Sequence, residues 1–335
     1  MNNTTAPHIR TNIRSGRMMF DVLLAIVPLG IFAYVNYGMR PIYILLCSMG
    51  AAVLAEALCC VVGRRPLRAV LDGTAAVTGM LIGLVMSPMT AYWVPMLGSA
   101  FAIIVAKAPF GGSGRYVFNP AAAGLAILSY CFPLRMFVYP SIATQTPLPT
   151  TMEIPASSVV TEMSLAAHLR TGAYPSATSL QLLLGDYAGP IGTTAALIMV
   201  AFLVFLMVRR TVSPWIVLPY IFTCAFIAWL FPITGLNTGY NILAQLCAGY
   251  VLFAGIFMVN DPVTAPRFWL GRLIYGILSA VLVMLLQRIG RVEAGSCFAV
   301  LLVNALAPII DRWSWHFWHW LTRQNRIRRE VRAHE

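Results

Sequence analysis

Most of the chemistry open to this chain rests on a few acidic residues set among apolar ones. Glu56 lies inside Ala55-Glu56-Ala57-Leu58, flanked only by apolar residues. A carboxylate in an apolar run is costly to bury, so it serves a function or pairs across helices. Two roles stay open for Glu56: a station on a cation route, or a helix–helix hydrogen bond. Asp21, Asp72, Asp186, Asp261 and Asp311 stand at the ends of apolar runs. For Asp21 and Asp311 the expected role is capping or interfacial solvation.

Three other segments offer chemistry. Gly111-Gly112-Ser113-Gly114-Arg115 is a glycine-rich turn followed by Phe118-Asn119-Pro120-Ala121. Glycine lets backbone N–H groups approach a phosphate or a flavin ring, and a tight turn between helices needs the same residues. Tyr174-Pro175-Ser176-Ala177-Thr178-Ser179-Leu180 reads by composition as a Ser/Thr-rich turn. A threonine hydroxyl is a poor nucleophile without a base, and no triad is visible. His316 and His319, three apart in a tryptophan-rich stretch, could share a helical face. The surrounding tryptophans and arginines favour an interfacial anchor over a metal or haem site. The seven cysteines all lie in apolar stretches without a C-x-x-C pair, which suits packing rather than a zinc or iron–sulfur site.

The elements that position these residues are helices in lipid. Charged residues are 10% of the chain and apolar residues 59%, whereas soluble domains carry about 25% charged residues. Apolar runs recur at 18–36, 41–62, 73–88, 91–106, 118–135, 190–208, 213–231, 240–259, 271–287 and 295–311. They predict an all-α polytopic membrane protein of about ten transmembrane helices. Arg10, Arg14 and Arg17 precede the first run as in a signal peptide, but no small-residue cleavage site follows, so that run reads as a retained helix. The third run is broken by Gly79, Gly83 and Pro88, and the eighth ends in Asn260-Asp261-Pro262. Interrupted helices at matching positions in two halves point to a site near the midplane.

The net charge of +12 comes almost wholly from arginine, with Lys107 the single lysine. The arginines cluster between apolar runs, which suits topology and argues against nucleic acid as partner. With the N-terminus in the cytoplasm, inside segments hold eighteen basic residues and outside segments five: Arg40, Arg135, Arg170, Arg288 and Arg291. That asymmetry puts both termini inside and the loop 137–189 outside. The chain then divides into a first membrane half (1–136), an extracytoplasmic loop (137–189), a second membrane half (190–312) and a basic, aromatic cytoplasmic tail (313–335). Five runs in each half make the second half run in the opposite sense, an inverted repeat.

Several separated motifs, in order, resemble the RnfD component of the Rnf complex and its close relative, the NqrB component of the sodium-translocating NADH:quinone reductase. They are Asp72-Gly73 with Thr78-Gly79, the turn from Gly111 to Ala121, the Thr178 segment, Gly185 to Gly192, Asp261-Pro262-Val263-Thr264, and Asn304 with Pro308-Ile309-Ile310-Asp311. The length and compact N-terminus favour the Rnf component. The resemblance implies FMN joined through its phosphate to Thr178, with Pro175, Ser176 and Thr193 departing from the family pattern. It implies riboflavin as a second, non-covalent flavin. It further implies a bacterial inner-membrane complex with the partners RnfA, RnfB, RnfC, RnfE and RnfG, matured by a flavin transferase. Such a complex couples ferredoxin oxidation and NAD reduction to export of Na⁺ or H⁺, with Glu56 a candidate on the ion route. A urea-channel-like transporter is the competing class, and it has no use for the Thr178 segment.

Overall fold

The computed structural model describes residues 15–142, 147–233, 235, 237–290 and 293–334, with side chains of the last helix described as far as Trp320. Arg10, Arg14 and Arg291, which enter the charge asymmetry, lie outside the described residues, as do the side chains of Arg323, Arg326, Arg328, Arg329 and Arg332.

The first half comprises α1 (Ser15–Tyr37), α2 (Arg40–Val62), α3 (Thr74–Val85), α4 (Trp93–Phe101), which continues as a π-helical turn Ala102–Lys107, and α5 (Pro120–Cys131). The connecting loop holds α6 (Pro133–Met136), the strands β1 (Tyr139–Pro140) and β2 (Thr161–Glu162), α7 (Leu165–Thr171) and α8 (Ser179–Leu184). The second half comprises α9 (Ala196–Val208), α10 (Pro214–Leu230), α11 (Thr238–Cys247), α12 (Val251–Phe253) with a π-helical turn Ala254–Met258, α13 (Trp269–Ile289) and α14 (Gly295–His334). All ten apolar runs fall on helical stretches. Among the described residues, however, only α1, α2, α13 and the Gly295–Trp320 part of α14 are long and apolar enough to cross a bilayer unbroken. A bent pair, Thr238–Cys247 with Val251–Met258, makes a fifth candidate with a 62° break. The other five helices have 10–17 residues, below the roughly 20 of a straight crossing.

The broken segments survive because other elements satisfy their backbone, as a low-dielectric surrounding requires. After α3 the chain turns extended, and its carbonyls are taken by the stretch that leads into α9: Ile191 N donates to Met86 O at 3.0 Å and Gly192 N to Leu84 O at 2.7 Å. Only glycine fits at 192, since a Cβ there would lie 2.5 Å from the Leu84 side chain. At the α11–α12 break the freed carbonyls meet side chains. Tyr187 donates to Cys247 O at 3.0 Å, Gln287 to Ala248 O at 3.1 Å and Tyr220 to Val251 O at 2.8 Å.

Helices pack closely where small residues face each other. A Cβ on Gly124 of α5 would stand 2.6 Å from Gly98 O of α4, and one on Gly276 of α13 would run into Ile216 O of α10. Ser48 of α2 donates to Gly79 O of α3 at 2.6 Å.

The turns that end the interrupted runs are alike. Ser87 Oγ accepts from Met89 N at 3.1 Å in Ser87-Pro88-Met89-Thr90, and Asp261 Oδ1 accepts from Val263 N at 3.1 Å in Asp261-Pro262-Val263-Thr264.

Candidate functional site

Thr178 is exposed on the connecting loop and is the N-cap of α8. The local sequence explains this. Pro175 is buried and lacks an N–H, so the chain runs extended into Thr178, whose φ and ψ are −74° and 163°. Thr178 and Gln181 form a capping box: the Gln181 side chain accepts from Thr178 N at 2.8 Å, and Thr178 Oγ1 accepts from Gln181 N at 3.4 Å. The Thr178 hydroxyl also donates to Gln181 Oε1 at 3.0 Å. Tyr240 of α11 holds Ala177 O at 2.7 Å, and its ring lies parallel to that of Tyr174. Gly185 closes α8 at φ +89°, and a Cβ there would meet the Ala195 backbone at 2.9 Å. The segment is therefore held from both ends while the hydroxyl stays reachable.

Beside it opens a cavity of about 570 Å³. Its lining includes Pro175, Ser176, Ala177 and Gln181 of the Thr178 segment, Thr161, Glu162, Met163 and His168 of β2 and α7, and Asp186, Tyr187 and Ala188 beyond α8. This volume lies within the roughly 300–1,000 Å³ typical of cofactor and ligand pockets.

The loop around this cavity is fastened to the helices by buried polar contacts. β1 and β2 pair antiparallel, Tyr139 opposite Glu162. Glu293, just before α14, accepts from Tyr139 OH at 3.0 Å and from Ser164 Oγ, the N-cap of α7. Burial pushes the Glu293 carboxyl above the usual glutamate range, against the Ser164 and Tyr139 hydrogen bonds and the Arg170 charge. Arg40 is wholly buried and donates to the carbonyls of Pro88, Pro149 and Thr151, so it fastens the end of the first broken run to the loop.

Glu56 belongs to a second cluster, on the opposite side of the molecule from the loop. The buried ammonium of Lys107 donates to Glu56 Oε1 and, at 2.6 Å, to Thr74 Oγ1. Thr74 in turn bonds Ser113 Oγ at 3.0 Å, so the glycine-rich turn closes over this cluster. Gly111, Gly112 and Gly114 all have positive φ, which accounts for their glycine identity by turn geometry. Asp261 accepts from Tyr116 OH at 3.1 Å nearby.

Several residues stand otherwise than their spacing suggested. Asp21 is no solvated cap: it is buried in α1 and pairs with Arg209 at 2.8 Å and with the Thr211 hydroxyl at 3.1 Å. Asp311 is no cap either: it lies inside α14 and accepts from Arg267 N at 2.9 Å and Phe268 N at 3.3 Å, which holds the chain just before α13 rather than its first turn. Lys107 and Arg40, counted as loop charges, are 1% and 0% exposed. Their signal was present, since each adjoins an apolar run, but the partners of Lys107 lie 33 and 51 residues away and those of Arg40 48 or more. His319 packs its ring on Trp315 at 4.2 Å.

These features define a multi-pass helical membrane protein with a folded loop that displays the Thr178 hydroxyl beside a ligand-sized cavity, which the exposed Thr161 also lines. Over residues 2–316 the chain matches the NQR2, RnfD, RnfE family, and it belongs to that family. It is 28% identical over 312 residues to the D component of the proton-translocating ferredoxin:NAD(+) oxidoreductase complex of Clostridium ljungdahlii, covering 93% of each chain. It is 32% identical over 319 residues to the D component of the ion-translocating oxidoreductase complex of Stutzerimonas stutzeri, covering 88% of this chain and 89% of the relative. The corresponding component of Cronobacter sakazakii is 31% identical over 337 residues, covering 92% and 95%.

Proposed function

We propose that this chain is the flavin-carrying membrane component of a bacterial inner-membrane complex that couples electron transfer between ferredoxin and NAD to translocation of Na⁺ or H⁺. The observation that carries this reading is Thr178: its hydroxyl is exposed, on a segment fastened by Tyr240 and Gln181, beside a cavity of about 570 Å³. In this reading Thr178 Oγ1 would give up its proton and serve as the ester oxygen of an FMN phosphate, with the leaving group departing from the flavin donor, and residues lining the cavity would receive the ring system. The bound flavin would supply electron transfer, while the chain sets its place and surroundings. The Thr178 hydroxyl bonds the side chain and backbone of Gln181, neither of which is a base, so in this reading a separate flavin transferase installs the group.

Coexpression with the transferase, followed by a denaturing gel, tests the site. Covalent flavin fluorescence is expected in the wild type and absent in Thr178→Ala. Fluorescence that survives the substitution overturns the assignment.

In the same reading the chain makes ten crossings in two inverted halves, with both termini in the cytoplasm. The matching turns at Ser87 and Asp261 support this, as does the sorting of polar contacts. Asp21–Arg209 and Tyr116–Asp261 join segments that charge bias puts inside. Tyr139–Glu293 and Arg40–Pro149 join segments that it puts outside. Glu56 is the ion-route residue of this proposal, supported by its burial within a polar cluster. A Glu56→Gln complex with unchanged ion transport removes it from the route.

A further inference from the structure

Lys107 is the chain's single lysine, and it terminates the π-helical turn Ala102–Lys107. Such turns insert an extra residue into a helix and are frequent at functional sites. Here the turn brings a buried ammonium onto Glu56 Oε1 and Thr74 Oγ1. The second carboxylate oxygen, Glu56 Oε2, is buried and has no partner among the described residues. A pair kept for stability alone needs both oxygens satisfied, because an orphaned buried acceptor is costly. The spare oxygen is what a visiting cation would coordinate.

Thr74 has a second face. It lines a cavity of about 60 Å³ that Asn260 and Asp261 also line. Asn260 Oδ1 is also buried, without a partner among the described residues. A water needs roughly 10–15 Å³ of such volume, so the space holds a few waters or a partly hydrated small ion. Thr74 thus touches both places: its hydroxyl holds the ammonium that Glu56 receives, and its side chain lines the cavity that Asp261 shares.

Resting on the reading of Glu56 as an ion-route residue, we propose that Lys107 is a built-in competitor for the translocated cation. Its ammonium occupies Glu56 when no ion is bound. A Na⁺ or a proton takes Glu56 by displacing the ammonium along Thr74 towards the Asp261 wall. One positive charge arrives as another withdraws, so the buried carboxylate never faces the low-dielectric interior unpaired. When the ion leaves, Lys107 returns and prevents its rebinding.

The test uses the intact complex reconstituted in vesicles, with ferredoxin-driven NAD reduction and ion uptake followed against Na⁺ concentration and pH. Lys107→Gln removes the competitor. If Na⁺ is the ion, its half-saturating concentration falls about tenfold, as expected when the binding-competent fraction rises. If the ion is H⁺, the alkaline limb of the pH–rate profile moves upward by about one unit for the same reason. Lys107→Arg has the opposite effect, because a guanidinium can satisfy both Glu56 oxygens. Should Lys107→Gln fail to assemble for want of a partner for Glu56, the Glu56→Gln/Lys107→Gln pair restores assembly and Lys107→Arg carries the test. An assembled Lys107→Gln or Lys107→Arg complex with wild-type Na⁺ dependence and pH profile overturns the proposal. A Glu56→Gln complex with normal ion transport overturns instead the reading on which it rests.

Discussion

At the scale of single residues, Arg40 shows how a buried charge can be held without a counter-charge. Its guanidinium donates to carbonyls of Pro88, Met89, Thr90, Pro149 and Thr151 and lies over the Tyr92 ring at 4.8 Å. Carbonyls freed by the break after α3 are therefore its partners. Arg40→Met should orphan several of them at about 1–3 kcal/mol each, for a loss of about 3 kcal/mol or more, read as a lower melting temperature in detergent. Lysine should rescue only in part, since it cannot span the same set of acceptors. Glu293 gives a pH signature. Its folded pKa is raised, chiefly by burial, so the folded state binds the proton more tightly than the unfolded one. The resulting stability is complete below the ordinary glutamate pKa of about 4.3 and is lost as pH rises through the raised folded value. Melting of the wild type should fall over that rise, and Glu293→Gln should flatten the slope. Equal slopes would show that Glu293 is not the titrating group. None of these partnerships was legible in the sequence. The apolar neighbours of Glu56, Lys107 and Asp21 mark them as costly to bury, but a one-dimensional pattern carries no information about contacts 33 to 190 residues away.

At the scale of elements, the apolar runs fall on helices, and Pro88 and Pro262 stand just past where helices stop, but Gly79 and Gly83, read as breaks, lie inside the continuous α3. What periodicity could not tell was how much of each run is helical. α3, α5 and α9 have 12 or 13 residues, because α3 and α9 adjoin non-helical chain whose backbone groups pair with each other, and α5 breaks at Phe132 ahead of Pro133. An apolar residue reads the same in either state. The Thr178 loop was legible as polar and long, yet its folded character was not. β1 and β2 are two residues each, and α7 and α8 seven and six, too short to leave a period. Close helix packing yields a further expectation. A Cβ on Gly276 would overlap Ile216 O, and the obstacle is backbone rather than a flexible side chain. Gly276→Leu should therefore force α10 and α13 apart and cost about 1–3 kcal/mol or more. It should show as poor detergent stability, while Gly50→Leu, with nothing within 4 Å of a Cβ there, should have little effect.

At the scale of the molecule, the two halves are joined by polar contacts at both ends and by the shared wall of the small cavity. On one side Glu293 of the second half holds Tyr139 and Ser164 of the loop. On the other, Asp21 of α1 holds Arg209 and Thr211 at the end of α9. The second link joins elements that begin the first half and end the first helix of the second, so it can constrain how the halves move relative to each other. Its charges are unequally placed: the Asp21 side chain is 5% exposed and that of Arg209 46%. Removing the arginine leaves a buried carboxylate with only the Thr211 hydroxyl, whereas removing the carboxylate leaves a cation that water can solvate. Arg209→Ala should therefore destabilise more than Asp21→Asn, and the double variant should resemble Asp21→Asn. A double-mutant cycle on melting temperature measures this, with coupling expected to be clearly non-additive. Additive effects would mean that the halves are held by the cavity walls and the Glu293 side alone. The same cycle on ion-coupled NAD reduction separates stability from motion. If the halves rock about this link, the double variant should recover its melting temperature yet keep an altered rate.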